Sequence, residues 1–524
     1  MDTRLKTDIP GTTYLVDVSH ALDTTSKKTL SDIVLVPTPS SDPDDPLNWS
    51  PRRKTLATFC WVLYTVVNGI AGANLSSVLV PFSANTGLAV HTLTSGTGYL
   101  FLLAGWGLLF WQPFALQYGK RLTYIVSLLA LTAISVWAPY CRSEGQWYAR
   151  SILFGFFAAP IEALPELSVT DLYFTHERGT YLGLYAASLV GSNFFSPFMC
   201  GFINDGQGWR WVFFWPAIFC GAGAVVLFFL MEETNYDRHD PPLHHNNNPD
   251  LSIQTERLEK EGVQPSISDA PVHCNKKTYR QKLSLLDTSR PFTMHKRLVT
   301  QLIFLTFPVP VYAGFAYGST LIWFNVLNAT ASTILGGPPY EFAPAIVGLT
   351  YLAAVIGTAI GMIYTGTLSD RIVLRLSRRN KGVMEPEFRL WLFAITTLLI
   401  PFSLLLWGVG SAHGVHWFGL LVAMAMLAFN NTCGASLGVN YLVDCYREMS
   451  GDALTAVIIV RNTMSFAIGY GITPWVANMG RQNAFITAAF IGMAISLLFL
   501  VMIKWGKRIR TRSKDQYWQM VARQ

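Results

Sequence analysis

The chain has 524 residues, of which 51% are hydrophobic and only 14% charged, with a formal charge of +7. Soluble domains carry about 25% charged residues, so the deficit lies in segments that do not face water, and a string of soluble domains is excluded. The cations gather in short connections between apolar runs of spanning length, which removes nucleic acid as the partner a basic chain otherwise implies.

Residues 1–54 are polar and read as a disordered cytoplasmic tail. They end in Trp49, Ser50, Pro51, Arg52, Arg53 and Lys54, an aromatic followed by cations, as suits a membrane interface. Apolar runs follow at roughly 55–80, 96–116, 122–140, 149–172, 181–203 and 210–231. A polar linker occupies 232–297, and six more runs come at roughly 298–327, 343–366, 388–410, 415–442, 452–478 and 482–504, before a basic tail over 505–524. The expected fold class is therefore an all-α polytopic membrane protein with a six-helix bundle over 55–231, a cytoplasmic linker over 232–297 and a second bundle over 298–504. The seven cysteines are scattered, with no metal-binding or disulfide spacing.

Orientation follows from counting cations at alternate ends. One side holds Lys120, Arg121, Arg178, the central linker, Arg371, Arg375, Arg378, Arg379, Lys381, Arg447 and the C-terminal cluster. The other shows almost only Arg142, Arg210 and Arg481. Both termini and the linker are thus expected in the cytoplasm, in agreement with an even number of spans. The junction of the second and third runs in each half carries a related string, Gln112 to Arg121 in one and Gly366 to Arg371 in the other. Such an internal repeat is expected of transporters that rock one half against the other around a midplane site.

These strings resemble the major facilitator superfamily, within its fungal drug:proton antiporter-like branch. Gly366, Leu368, Ser369, Asp370 and Arg371 look like the start of its cytoplasmic-loop motif, and Gly119, Lys120 and Arg121 like its end. Arg150 with Gly155 is similar to the fourth-span motif. Ser196, Pro197, Cys200 and Gly201 occupy the place of the fifth-span antiporter signature, with Ser196 and Cys200 where glycines stand. Further matching strings are Asp45 to Trp49, Glu162 through Gly179, Glu232 to Tyr236, Gly336 to Tyr340, and Arg461 with Asn462. In the first half, Leu116 and Gln117 replace the loop motif's acidic and basic residues, which puts its gating contact in doubt. The resemblance implies two pseudo-twofold-related bundles, with spans one, four, seven and ten lining a cavity.

A charge near the bilayer centre costs on the order of 3 kcal/mol, so each one needs a reason. Glu162 falls mid-span, with Glu166 four residues on and expected on the same helical face. Pro160 and Pro165 bracket that turn and remove backbone donors. A carboxyl withdrawn from water holds its proton more tightly, the property proton coupling needs. Glu162 is expected to bind a proton or a cationic part of the substrate, or else to pair structurally with a neighbouring span, and Glu166 is a second candidate. Arg461 stays charged and is expected in an intramembrane ion pair or gate, with direct contact to an anionic substrate as the alternative.

Asn68, Asn74, Asn193, Asn325, Asn430, Asn431 and Asn440, with Trp323, Phe324 and Phe429, are cavity candidates. They suit a bulky organic solute with a few polar groups, although hydrogen bonding between helices explains each amide as well. Gly119, Lys120, Arg121, Asp171, Arg178, Asp370, Arg371, Asp444 and Arg447 are gating candidates at the cytoplasmic end. His176 and Glu177 belong to the cluster with Asp171. His244 and His245 sit in a polar loop that explains them without a metal, and Asn328 to Thr330 match a glycosylation acceptor close to the membrane.

The expected function is proton-coupled export of small organic compounds such as drugs or secondary metabolites. Uptake of a cationic nutrient, such as a polyamine or amino-acid derivative, is the alternative, and a solute sensor signalling through 232–297 is a third. No catalytic constellation, phosphate loop or cofactor motif appears in the sequence. The expected partners are a small organic solute, protons and the lipid bilayer, for a monomer in the plasma membrane, with the vacuolar and peroxisomal membranes as alternatives.

Overall fold

The computed structural model describes residues 9–14, 42, 44–236, 284, 292–380 and 383–522. Among them are ten helices long and apolar enough to cross a bilayer, plus two bent helix pairs; counting each pair as one span gives twelve. The first half runs through Pro51–Gly72, the bent pair Val90–Trp106 and Leu108–Tyr118, Lys120–Tyr140, Glu144–Leu172, Tyr181–Gln207 and Trp211–Leu230. The second runs through the bent pair Met294–Phe304 and Pro308–Leu335, then Pro344–Arg379, Pro386–Ala412, Trp417–Cys445, Ser450–Met479 and Arg481–Val521. These are called spans one to twelve below. The all-α polytopic class expected from the sequence is the class observed.

Local chemistry sets the boundaries. Pro51, Pro308 and Pro344 each begin a helix, where the missing N–H costs nothing. Phe307, preceding Pro308, is held extended at φ −83°, ψ 126°, and span seven bends there by 74°. Gly119, at φ +120°, turns the chain from span two into span three in a single residue. The Glu233 carboxylate accepts the Lys120 N–H at 3.1 Å and the Arg121 N–H at 3.0 Å, which caps the start of span three. Asn235 Nδ2 donates to the Leu116 carbonyl at 2.9 Å and so closes the end of span two.

The halves meet along spans two and eleven and along spans five and eight. A Cβ on Gly98 would lie 3.1 Å from the Phe466 carbonyl oxygen, and one on Gly201 only 2.4 Å from the Pro344 oxygen. Small residues here let backbones touch, the usual basis of helix association in lipid. Pro197 and Gly201, at the place of the fifth-span signature, therefore serve the contact with span eight, where a Cβ on Gly348 would sit 2.6 Å from the Pro197 oxygen. Towards the end remote from Gly119, Thr94 and Thr473 also share a hydrogen bond of 2.9 Å across the halves.

Two polar regions are more ordered than the sequence implied. In the stretch expected as a disordered tail, Leu47 and Trp49 are buried and span one begins at Pro51. Thr13–Tyr14 pairs antiparallel with Val383–Met384. Beyond residue 505 the last helix continues to Val521. Its fully buried Arg510 binds Glu387 through two bonds of 3.0 and 2.7 Å, and the Pro10 carbonyl at 2.5 Å. That desolvated cation is fully bonded, as burial demands.

Spans eight and ten pack closest at Gly357, where a Cβ would fall 1.9 Å from the Ala425 oxygen. Gly357→Leu is expected to destabilise the protein by about 3 kcal/mol or more, read as a lost monodisperse peak after heating in detergent. Gly191→Leu, at a position with nothing within 4 Å, should leave the melting profile unchanged.

Candidate functional site

Span four is not one continuous α-helix. Helix Glu144–Ala158 gives way to a 3-10 turn over Ala159–Glu162, and helix Leu164–Leu172 restarts after Ala163 at φ −136°. Pro160 and Pro165 lie at the beginnings of the two later pieces, where their missing donors are tolerated. The break turns the Glu162 side chain towards the interface between the halves. There its Oε1 lies 2.5 Å from an Arg461 terminal nitrogen on span eleven. The same guanidinium donates to the Tyr317 hydroxyl at 2.8 Å and to Asn462 Oδ1 at 3.0 Å, and stands 4.7 Å from the Tyr317 ring centroid. Side-chain exposure is 13% for Glu162 and 5% for Arg461, so the attraction acts with little screening.

Both residues line a cavity of about 220 Å³ between the halves. Asn68, Asn193, Phe324, Asn325 and Asn431 line it as well. The wall is otherwise largely apolar, with Phe101, Phe154, Ile161, Leu189 and Phe194. Among the described residues, Glu162 and Arg461 are the only charged groups in the lining, and they have opposite signs. The cavity thus offers amides, hydroxyls and aromatic faces, with one ion pair as its strongest electrostatic feature.

Five cavity candidates lie outside this lining. Trp323 is 2% exposed and packs near Gly492 of span twelve. Asn430 is 1% exposed within the second half. Their sequence neighbours Phe324 and Asn431 do reach the cavity; adjacent residues of a helix point about 100° apart, and at these two positions that rotation carries Trp323 and Asn430 into the second half. Phe429 packs on Tyr364 of span eight at 5.5 Å between ring centroids. Asn74 lies buried in the turn after span one, and Asn440 is half-buried towards the end of span ten. Glu166 is also absent from the lining: the expected shared face with Glu162 required an unbroken helix, and the break at Ala163 separates them. Among the described residues Glu166 has no hydrogen bond or ion pair.

Lys120, Arg121, Asp171 and Asp444, among the gating candidates, make bonds within their own halves. Lys120 Nζ pairs with Asp171 and donates to the Leu167 carbonyl at 3.1 Å, tying span three to span four. Arg121 donates to the Phe228 carbonyl at 2.6 Å. Asp444 accepts from Arg389 at 2.6 Å. Arg371 and Arg447 are exposed. The side chains of Arg178, His176, Glu177 and Asp370, and all of His244 and His245, lie outside the described residues. Among the described residues no group of three or more His, Cys, Asp or Glu is placed to hold a metal.

Sequence reasoning missed Tyr317 and Asn328. Both line the cavity, and with Leu321, Phe324 and Asn325 they form a stripe at intervals of four, three, one and three residues along span seven. That helical spacing was the available signal. The position of Asn328 inside the cavity also sets aside its reading as a glycosylation acceptor.

Residues 61–411 match the family model described as Major Facilitator Superfamily. The chain belongs to the Major Facilitator Superfamily. It is 27% identical to an MFS-type transporter of Schizosaccharomyces pombe, over 98% of this chain and 94% of that one. It is 28% identical to Protein HOL1 of Saccharomyces cerevisiae, over 94% and 93% respectively. It is 25% identical to Efflux pump radE of Floropilus chiversii, over 91% and 84%. Among solved structures, a POT family peptide transporter in an auto-inhibited form superposes with a TM-score of 0.56 at 15% identity, over 86% of this chain and 96% of that one, a likeness of fold. The chain is thus an MFS transporter with fungal efflux-type relatives.

If the ion pair holds the halves together, its two members are energetically coupled. Glu162→Ala alone strands a buried guanidinium and should cost about 3 kcal/mol. Adding Arg461→Met should recover more than half of that loss. Thermal unfolding of the two single variants and the double variant measures the coupling, and additive losses would show that the pair contributes nothing.

Proposed function

We propose that this transporter exports small organic solutes in exchange for protons, by alternating access around the Glu162 cavity. The observation that carries the reading is the 2.5 Å bond between a carboxylate of one half and a guanidinium of the other, inside the cavity wall. Protonating Glu162 removes the attraction that spans the interface, while Arg461 keeps Tyr317 and Asn462. A proton arriving from one side therefore loosens the halves, and its departure re-forms the bond. Proton movement is coupled to the rocking motion without any cofactor.

The lining supports a solute of mixed character, with aromatic and aliphatic surface and several amide or hydroxyl groups. Export as the direction is supported by relatives such as Efflux pump radE. The cavity is built from a single chain, which supports a monomer as the working unit, and the plasma membrane is the membrane in which export discharges a solute from the cell. One observation favours a second reading, uptake of an organic cation. Among the described residues Glu162 is the sole carboxylate of the lining, and a cationic solute could replace Arg461 on it.

Accumulation of fluorescent organic solutes and of labelled organic cations by cells expressing the protein, at external pH 5 and 7.5, tests both. The wild type should export faster at pH 5, where the inward proton gradient is larger, and Glu162→Gln should lose that dependence. Unchanged pH dependence in Glu162→Gln would remove the residue from coupling. Cation uptake abolished by the same substitution would favour the second reading.

A further inference from the structure

Two glutamines of span two bridge the halves at the cation-rich end, and neither lies in the cavity. Gln112 is 1% exposed. Its Nε2 donates to the Gly451 carbonyl at 3.3 Å, and its Oε1 accepts from the buried Thr455 hydroxyl. Gly451 itself lies against span four, where its Cβ position is 3.4 Å from Leu167, so the start of span eleven is wedged between spans two and four. Five residues along, Gln117 Oε1 accepts the backbone N–H of Thr293 at 2.9 Å, at the first turn of span seven. Both amides are thus engaged with the opposite half, and any parting of the halves at this end must break these bonds.

We propose that Gln112 and Gln117 form the cytoplasmic gate, and that this gate is uncharged. The sequence places Leu116 and Gln117 where the resemblance called for an acid and a base, and the neighbouring cations Lys120 and Arg121 are engaged inside their own half. The contact that closes this end has passed to neutral amides. A neutral gate separates two tasks. Breaking its own bonds costs the same whatever the pH, because neither an amide nor a hydroxyl titrates in the physiological range. The pH response is left to the ion pair in the cavity. The ionisable groups on the elements around the gate include Lys120, Arg121, Glu166 and Asp171 on spans three and four, Glu233 at the start of span three, His295, Lys296 and Arg297 at the start of span seven, and Asp452 on span eleven. Asp452 directly follows Gly451, and its carboxylate accepts from Gln301 at 3.4 Å.

The proposal rests on the two halves parting, not on export or on proton coupling, and its test uses neither solute nor gradient. Ala163, 2% exposed, belongs to a buried cluster with Leu108 and the second-half residues Ala453 and Val457, so a cysteine there reacts only when this end opens. Ala163→Cys is made with Cys274→Ser in the full-length chain; the remaining six cysteines are buried. Labelling by a bulky maleimide is followed in detergent at several pH values, each variant against its parent at the same pH. Thr455→Val should label about fivefold faster, the shift expected from losing one hydrogen bond, and Gln112→Ala, which loses two, faster still. Gln112→Glu is the decisive variant. Its neutral acid can donate to Gly451 and accept from Thr455 as the amide does, whereas its carboxylate cannot donate. Labelling should therefore match the parent at pH 5 and exceed it at least fivefold at pH 8, with the acceleration following a single ionisation. A Gln112→Glu variant that labels like its parent at both pH values, with Thr455→Val also unchanged, overturns the proposal. So does equal acceleration at both pH values, which would mark a packing defect. Loss of proton coupling in Glu162→Gln would leave this outcome unaffected.

Discussion

A guanidinium that cannot lose its proton, held in a largely apolar interface between two helical bundles, is the constraint on which the rest of this structure turns. Arg461 is too costly to bury alone. It is met by a carboxylate from the opposite half, a phenol from span seven and its own neighbouring amide. Glu162 can reach it because two prolines break span four, where an uninterrupted helix would have aligned that carboxylate with Glu166. The backbone irregularity and the ion pair are one feature seen at two levels.

Around that pair the interface is graded. At the end remote from Gly119, Gly201 lies against the Pro344 backbone, and at the cavity wall Gly98 lies against Phe466. At the opposite end contact is made by amides. In between, side chains stand back and leave the cavity. The layers differ in character: close backbone packing with the Thr94–Thr473 bond and the Asp205 carboxylate accepting the Ala345 N–H at 3.2 Å, then an ion pair in the cavity wall, then neutral amide bonds. An interface divided in this way can separate at one end while the other stays closed, as alternating access requires.

Much of the fold was legible because the bilayer imposes lengths and charge placement that a sequence cannot disguise. Runs of spanning length gave the spans, and the cation count gave a consistent orientation. The bent second and seventh spans read as single runs, since hydropathy averages over a bend; only Gly107 and Pro308 hinted at the breaks. The order around Leu47, Trp49 and Arg510 was hidden for a different reason. Those segments are polar in composition and become buried through specific bonds, such as Arg510 to Glu387, between residues more than a hundred positions apart. At the site, Glu162 and Arg461 stood out because charge within a span is expensive. The amides did not sort themselves: Asn430 and Asn431, or Trp323 and Phe324, differ by one residue of rotation, and composition alone carries no phase. Tyr317 and Asn328 were recoverable from the stripe they share with Asn325, whereas Gln112 gave no signal, because an amide near the end of a span is ordinary.

The account depends on a proton breaking the bond between Glu162 and Arg461 and so freeing one half from the other. Spin labels placed on spans one and seven of the purified transporter, with distances measured by electron–electron resonance at pH 5 and pH 8, address this directly. The wild type should show two distance populations whose ratio changes with pH, and Glu162→Gln should show the acid ratio at both values. A pH-dependent shift that persists unaltered in Glu162→Gln would contradict the account.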